Sequence, residues 1–205
     1  MKGHCAGIAS ARMQDTHSDF NWDWKMQDYT MELFDDLEGF LNSETITGNS
    51  IFQILKQHAS TVSVFDMMRF TSHVMEENRY VHESYHEDSQ KSYIESFLMR
   101  VRDIAKDVND YEKTIDREEL RNAIESLKAN YSTETSKNKT PLIFYLGSLY
   151  ATFILEESIH PVGTPFPGSL KVEEKHGKFY CPVRDANIDT PNAVCNICLA
   201  EQLDF

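Results

Sequence analysis

For most of the chain, apolar residues recur three and four positions apart, a spacing that predicts a mainly α protein. The first helix is expected from near Ser18, with Trp24, Met31, Phe34 and Leu41 on one face and Met26, Leu33, Leu37 and Phe40 close by. Trp22 and Trp24 read as core anchors, because a cage for a cation would need further aromatic rings converging from elsewhere. A turn at Thr47-Gly48-Asn49-Ser50 leads to a second helix, capped by Asn49 or Ser50 and carrying Ile51, Ile54 and Leu55. A third runs from about Ser63 to Asn78. Phe65, Met68 and Met75, with Val64, Met67 and Phe70, give it a wide apolar face in which the methionines are expected as adaptable core filler.

The clearest amphipathic helix is Ser92 to Tyr111, where Ile94, Phe97, Leu98, Val101, Ile104 and Val108 form the stripe. Glu95, Arg100, Arg102, Asp103 and Lys106 are expected on its solvated side. Asp116 with Glu119 forms a capping-box-like start to a helix through Leu120, Ile124 and Leu127, and Asn130 to Lys139 reads as a polar linker. Thr140-Pro141 then predicts a helix start, a capping hydroxyl followed by proline at the first helical position. From Leu142 to Leu155 there is almost no polar face, so the helix from Thr140 to Ser158 should be surrounded by the others, with Gly147, Ser148, Ala151 and Thr152 allowing close approach. His176-Gly177, between Val172 and Phe179, reads as the turn of a small hairpin near residues 170 to 183.

The fold class that follows is a single helical domain around a buried helix in the C-terminal third, with a small hairpin and a Cys-rich lobe at the end. Its expected divisions are a flexible arm at 1–17, a helical core at 18–160, and a hairpin and Cys-x-x-Cys metal lobe at 161–205 packed on the core.

Composition narrows the partners. The 205 residues are 40% hydrophobic, enough for a core, and carry a net charge of −13 with no basic stripe. Nucleic acid and anionic membrane are therefore excluded as expected partners, and a protein partner is favoured. The longest apolar run, Pro141 to Leu155, falls short of the roughly 20 residues a membrane helix requires. Met1 to Arg12 lacks the apolar stretch of a secretory signal, so the expected location is the cytoplasm.

The cysteines carry the candidate chemistry. Cys181, Cys195 and Cys198 fall within 18 positions, two of them as Cys-x-x-Cys, a spacing that lets two sulfurs face one ion. A closed structural zinc needs a fourth ligand. His160, just before Pro161, is the first candidate, and Cys5 in the N-terminal arm is the runner-up. The competing reading makes Cys181 a buried small hydrophobe and the other two an incidental pair. Thiol redox chemistry at Cys195 and Cys198 lacks the βαβ context it would want, while an iron–sulfur cluster on the same residues stays open. Glu156 or Glu157, one helical turn before His160, is a candidate acid/base or additional ligand. His82-Glu83-Ser84-Tyr85-His86 matches the zinc-protease pattern letter for letter, with Glu83 in the place of the general base. The segment is polar with no apolar stripe to bury a metal, and a solvated helix end is the preferred reading.

Ile159 to Gly168 (Ile-His-Pro-Val-Gly-Thr-Pro-Phe-Pro-Gly), with Tyr180-Cys181-Pro182-Val183 and Cys195-Asn196-Ile197-Cys198, resembles the signature of uncharacterised protein family 0305 (domain of unknown function 2115). The match covers about 40 positions and implies a cytosolic protein of a methanogenic archaeon, with no activity attached. Ser169 stands where the family often carries a second glycine. Two function classes follow. The first is a zinc-stabilised interaction or assembly protein with Cys181, Cys195, Cys198 and His160 as ligands. The second is an enzyme, either a metal-dependent hydrolase or a thiol redox or iron–sulfur protein using the same cluster.

Overall fold

A computed structural model describes residues 28–77, 83–131, 138–166, 168–190 and 193–204; of the side chains from 83 to 89 nothing is described. The expectations for the arm at 1–17, for Cys5, Trp22, Trp24 and Met26, and for His82 to His86 lie outside these residues or side chains.

Helix α1 (Tyr29–Phe40) is capped by Asp28, its carboxylate accepting from the backbone N–H groups of Thr30 and Met31, and the part of its expected span before Asp28 lies outside the described residues. Helix α2 (Gly48–Ser60) is capped by Thr47 instead of Asn49 or Ser50. Thr47 and Ser50 form a reciprocal capping box, which leaves the Asn49 side chain to accept from the backbone N–H of Tyr111 at 2.8 Å. Gly48 is required there, since a Cβ would lie 2.7 Å from the Tyr111 carbonyl oxygen. Helix α3 (Val64–Glu77) starts from a similar box between Ser63 and Asp66.

Helix α4 (Glu83–Lys106) is displaced toward the N-terminus of its expected span. The chain leaves it before Val108, which is 89% exposed and not part of the stripe. Helix α5 (Arg117–Asn130) is capped by Asp116 as its sequence indicates, the carboxylate accepting from Glu119 N–H at 2.8 Å. Helix α6 (Thr140–Leu149) is buried at every position and packs against α1, α2, α3 and α4, the central place its missing polar face implied. The Thr140 hydroxyl does not cap it. Lys139 is the first flanking residue, the Asn138 side chain accepts from Thr140 N–H, and the Thr140 hydroxyl is buried without a partner among the described residues.

After Leu149 the helix widens into π-helical turns, Tyr150–Leu155, and stops where Glu156 turns left-handed at φ 56°. Across this stretch Tyr150 donates its hydroxyl to Asp107 at 2.7 Å and Thr152 donates to the Ile197 carbonyl at 3.0 Å. The π-helical end is thereby pinned to the α4–α5 connection on one side and to the C-terminal segment on the other.

The tail is built from short strands. β1 (Pro165–Phe166) pairs antiparallel with β2 (Leu170–Lys171), and β3 (Glu173–Lys175) with β4 (Lys178–Cys181). The β3–β4 turn is His176-Gly177, with φ 54° and 76°, the mirror-image geometry a two-residue hairpin favours. Beyond the expected hairpin, β5 (Glu201–Gln202) joins β4 in parallel. A short helix α7 (Arg184–Asn187) and a 3-10 turn (Cys195–Ile197) connect β4 to β5. Val194 and Ile197 belong to the helical core, while Val172, Cys181 and Ala200 form a second small apolar cluster. Cys198 packs against both.

α3 departs most from expectation. Only Phe70 and Val74 are buried, whereas Val64, Phe65, Met68 and Met75 are 52–75% exposed. Met68 and Met75 are therefore not core filler: the face that meets α4 and α6 is the narrower one carrying Phe70 and Val74.

Candidate functional site

Three segments deliver the sequence-derived site residues to the junction of helical core and tail. The π-helical end of α6 leads directly into Ile159 and His160, β4 ends on Cys181, and the 3-10 turn opens on Cys195 and closes on Cys198. None of the three cysteines is in a disulfide.

Backbone N–H groups aim at two of the sulfurs. Cys198 Sγ accepts from Ile159 N–H at 3.4 Å and from Ala200 N–H at 3.5 Å. The first of these ties the Cys-x-x-Cys to the residue beside His160. The N–H groups of Val183 and Arg184 favour the thiolate of Cys181. Burial still raises the Cys181 thiol, and Cys198 raises it further. Cys195 is pushed up to about 12, first by burial and then by its neighbours Cys198 and Cys181. Cys181 and Cys195 thus resist ionising while the neighbouring sulfurs are anionic. That is the expected behaviour of thiols crowded together with little positive charge nearby.

The nearest cations are two arginines. Arg184 lowers both Cys181 and Cys195, and its Nε is buried without a hydrogen-bond partner among the described residues. Arg100 is 6% exposed, not on a solvated side; it donates to the Ser158 carbonyl at 3.0 Å and the Gly147 carbonyl at 3.4 Å. Its position was legible in the sequence, since Arg100 stands three after Phe97 and four before Ile104, on the apolar face itself.

His160 sits among aromatic rings, with centroids 5.2 Å from Tyr93, 5.7 Å from Phe166 and 6.0 Å from Phe97. Its Nε2 is sealed from solvent and has no hydrogen-bond partner among the described residues. Burial, with Arg100 adding to it, lowers its pKa to about 4, so the ring is neutral at physiological pH and Nε2 or Nδ1 has a lone pair to offer. Tyr93 touches this ring and also feels Cys195, placing both on one side of the junction.

The structure brings His160 and the three cysteines into one neighbourhood, but it does not close them on a point: among the described residues no three of His, Cys, Asp and Glu stand ready to hold an ion. The two candidate carboxylates are engaged elsewhere. Glu156 pairs with Lys113 at 2.6 Å, and a Glu157 oxygen lies 3.8 Å from Arg100. A cleft of about 250 Å³ opens beside Cys198, lined also by Glu119, Asn122, Thr152 and Asn196. Among the described residues no helix is long and apolar enough to cross a membrane.

A family described as an uncharacterized protein conserved in archaea (DUF2115) matches residues 47–203, which include every residue of the junction. A UPF0305 protein of Methanothermobacter thermautotrophicus is 33% identical over 159 residues, 77% of this chain and 97% of that protein. The UPF0305 protein MmarC7_1691 of Methanococcus maripaludis is 25% identical over 167 residues, 78% of this chain and 99% of that protein. The UPF0305 protein MK0666 of Methanopyrus kandleri is 36% identical over 74 residues, 35% and 52% of the respective chains. No solved structure matches.

Proposed function

Because this chain belongs to the archaeal family of uncharacterized proteins that matches three quarters of its length, we propose that it serves, in the cytoplasm, as a helical interaction or assembly protein. In this proposal its tail would be fixed by a structural zinc ion on Cys181, Cys195, Cys198 and His160. The observation that carries the metal reading is the aim of backbone N–H groups at the sulfurs of Cys181 and Cys198 in a place where burial and the neighbouring sulfurs raise the thiols of Cys181 and Cys195. Such donors favour thiolates, and thiolates this crowded need a cation between them. The lone pair of a neutral, unpartnered His160 completes a set of three cysteines and one histidine, a donor set that suits zinc. When bound, the ion would neutralise the sulfurs and cross-link the end of α6 to the tail.

The protein-partner half of the proposal rests on charge. A net −13 favours a partner with a basic surface and disfavours nucleic acid and anionic membrane. A second reading, metal-dependent hydrolysis, draws on the cleft beside Cys198, where Glu119 supplies a carboxylate. It requires that one of the four residues leave a coordination position open.

Purification without oxygen followed by metal analysis separates these readings. The proposal expects about one zinc per chain, lost in Cys195→Ser and in His160→Ala and kept in Cys5→Ser. Iron with inorganic sulfide would replace zinc by a cluster, and zinc retained at full stoichiometry in His160→Ala would favour the open, hydrolytic site. A metal-free protein would overturn all three.

A further inference from the structure

α3 turns an apolar face outward. Val64, Phe65, Met68 and Met75 lie along one side of the helix at 52–75% exposure, and Phe65, Met68, Arg69, Ser72 and Asn138 line an open cleft of about 520 Å³ along it. Single exposed apolar side chains are ordinary, whereas a contiguous row of large ones marks a surface that something covers.

Where the described chain begins identifies the occupant. The Tyr29 ring lies 4.0 Å under Lys139 Nζ, and the same amine bonds the Thr61 carbonyl and stands 3.9 Å from Asp66 in the first turn of α3. Asn138, next to Lys139, is part of the cleft wall. Tyr29, at the start of the described residues, therefore lies beside the N-terminal end of the exposed face. The sequence preceding Asp28 reads Phe20-Asn21-Trp22-Asp23-Trp24-Lys25-Met26, with a large apolar residue at every second position. From Tyr29 back to Phe20 an extended chain spans about 30 Å, and the face from Val64 to Met75 is about 16 Å long, so the segment reaches its whole length. Asp23 lies between the two tryptophans in sequence, and Arg69 is an exposed cation on the cleft. The polar stretch from Ser132 to Lys137, which also runs up to Asn138, has no apolar side chain to offer.

We propose that residues Phe20 to Met26 of this chain dock along the exposed face of α3, with Trp22 and Trp24 against Phe65 and Met68. The docking would cover the row from within the molecule. It does not depend on the metal site.

The chain has two tryptophans, and both belong to this segment, so tryptophan emission of the intact protein reads the segment alone. The expected result is emission to the blue of a free tryptophan amide and weak quenching by acrylamide. Phe65→Asp and Met68→Asp, each at an exposed position, should move emission to the red and raise quenching while far-UV circular dichroism stays unchanged; if one variant fails to fold, the other keeps the test. Fully hydrated emission in the unmodified protein, or blue emission indifferent to both substitutions, would overturn the proposal. So would blue emission that disappears on dilution together with a dimer in sedimentation, which would give the face to a second copy.

Discussion

Gly147 of α6 faces Phe97 and Arg100 of α4 at close range, and replacing it by alanine tests the packing of these two helices. A Cβ at Gly147 would lie 2.9 Å from Phe97 Cδ1 and 3.9 Å from Arg100 Cβ. Phe97 cannot swing away. Its ring is fully buried, with Phe144 at 5.0 Å, Tyr93 at 5.1 Å, His160 at 6.0 Å and Phe70 at 6.2 Å between centroids. Alanine gains about 1 kcal/mol over glycine as a helix former, while overpacking a core costs roughly 1–3 kcal/mol. With the ring hemmed on four sides the upper half of that range applies, and the net loss expected is about 1–2 kcal/mol. Gly39 in α1 provides the control, since nothing lies within 4 Å of a Cβ there and Gly39→Ala should stabilise by up to about 1 kcal/mol. Urea unfolding at constant m-value reads both. Opposite signs support the packing, and a stabilising Gly147→Ala would refute the close approach of α4 to α6 at this point.

Two further substitutions test local features. Ser169 is held at φ 62° in the β1–β2 turn, a left-handed conformation that a glycine would take without a Cβ clash. Ser169→Gly should therefore stabilise by about 0.5–1 kcal/mol in urea unfolding, the relief of the clash less the extra chain entropy of glycine. At Asp107, burial alone would raise the carboxyl, but the hydroxyls of Tyr111 and Tyr150 and the Asn109 N–H, with Lys56 nearby, outweigh it and hold the group below its ordinary 3.8. Its contribution is thus present above that value and lost as pH falls through the lower native one. Asp107→Asn should cost about 1–2 kcal/mol at neutral pH, and the difference from the unmodified protein should shrink in acid well below 3.8; a difference equally large in acid would refute the assignment.

Local chemistry was the legible part of the sequence. Asp116 before Glu119 specified its own cap, His176-Gly177 specified its own turn, and the unbroken apolar run after Pro141 could only be a central helix. What the sequence hid depended on distant segments. The apolar row on α3 looked like core because apolarity does not say which side meets a partner, and only the packing of α4 and α6 on Phe70 and Val74 decides it. Arg100 looked like surface by residue type, although its position lay on the buried face and the carbonyls of Gly147 and Ser158 supply its partners. The π-helical widening and the parallel strand β5 have no local signal, since each is completed by residues far along the chain. At the junction, the cysteine spacing and His160 could be picked out, whereas the N–H groups of Ile159, Val183, Arg184 and Ala200 at the sulfurs are properties of the folded backbone.

The central claim is that a metal ion on Cys181, Cys195, Cys198 and His160 ties the tail to the helical core, and hydrogen exchange before and after metal removal tests it most directly. The helical core has its own large apolar cluster, while the tail's smaller cluster, among the described residues, has Val172, Cys181 and Ala200 buried with Phe166, Phe179, Val183 and Cys198 against them. Stripping the metal with a strong chelator should therefore speed amide exchange from Val172 to Leu203 and in the residues around His160, with α2, α4, α5 and α6 keeping their protection. Unchanged protection from Val172 to Leu203 after complete removal of metal would contradict the account.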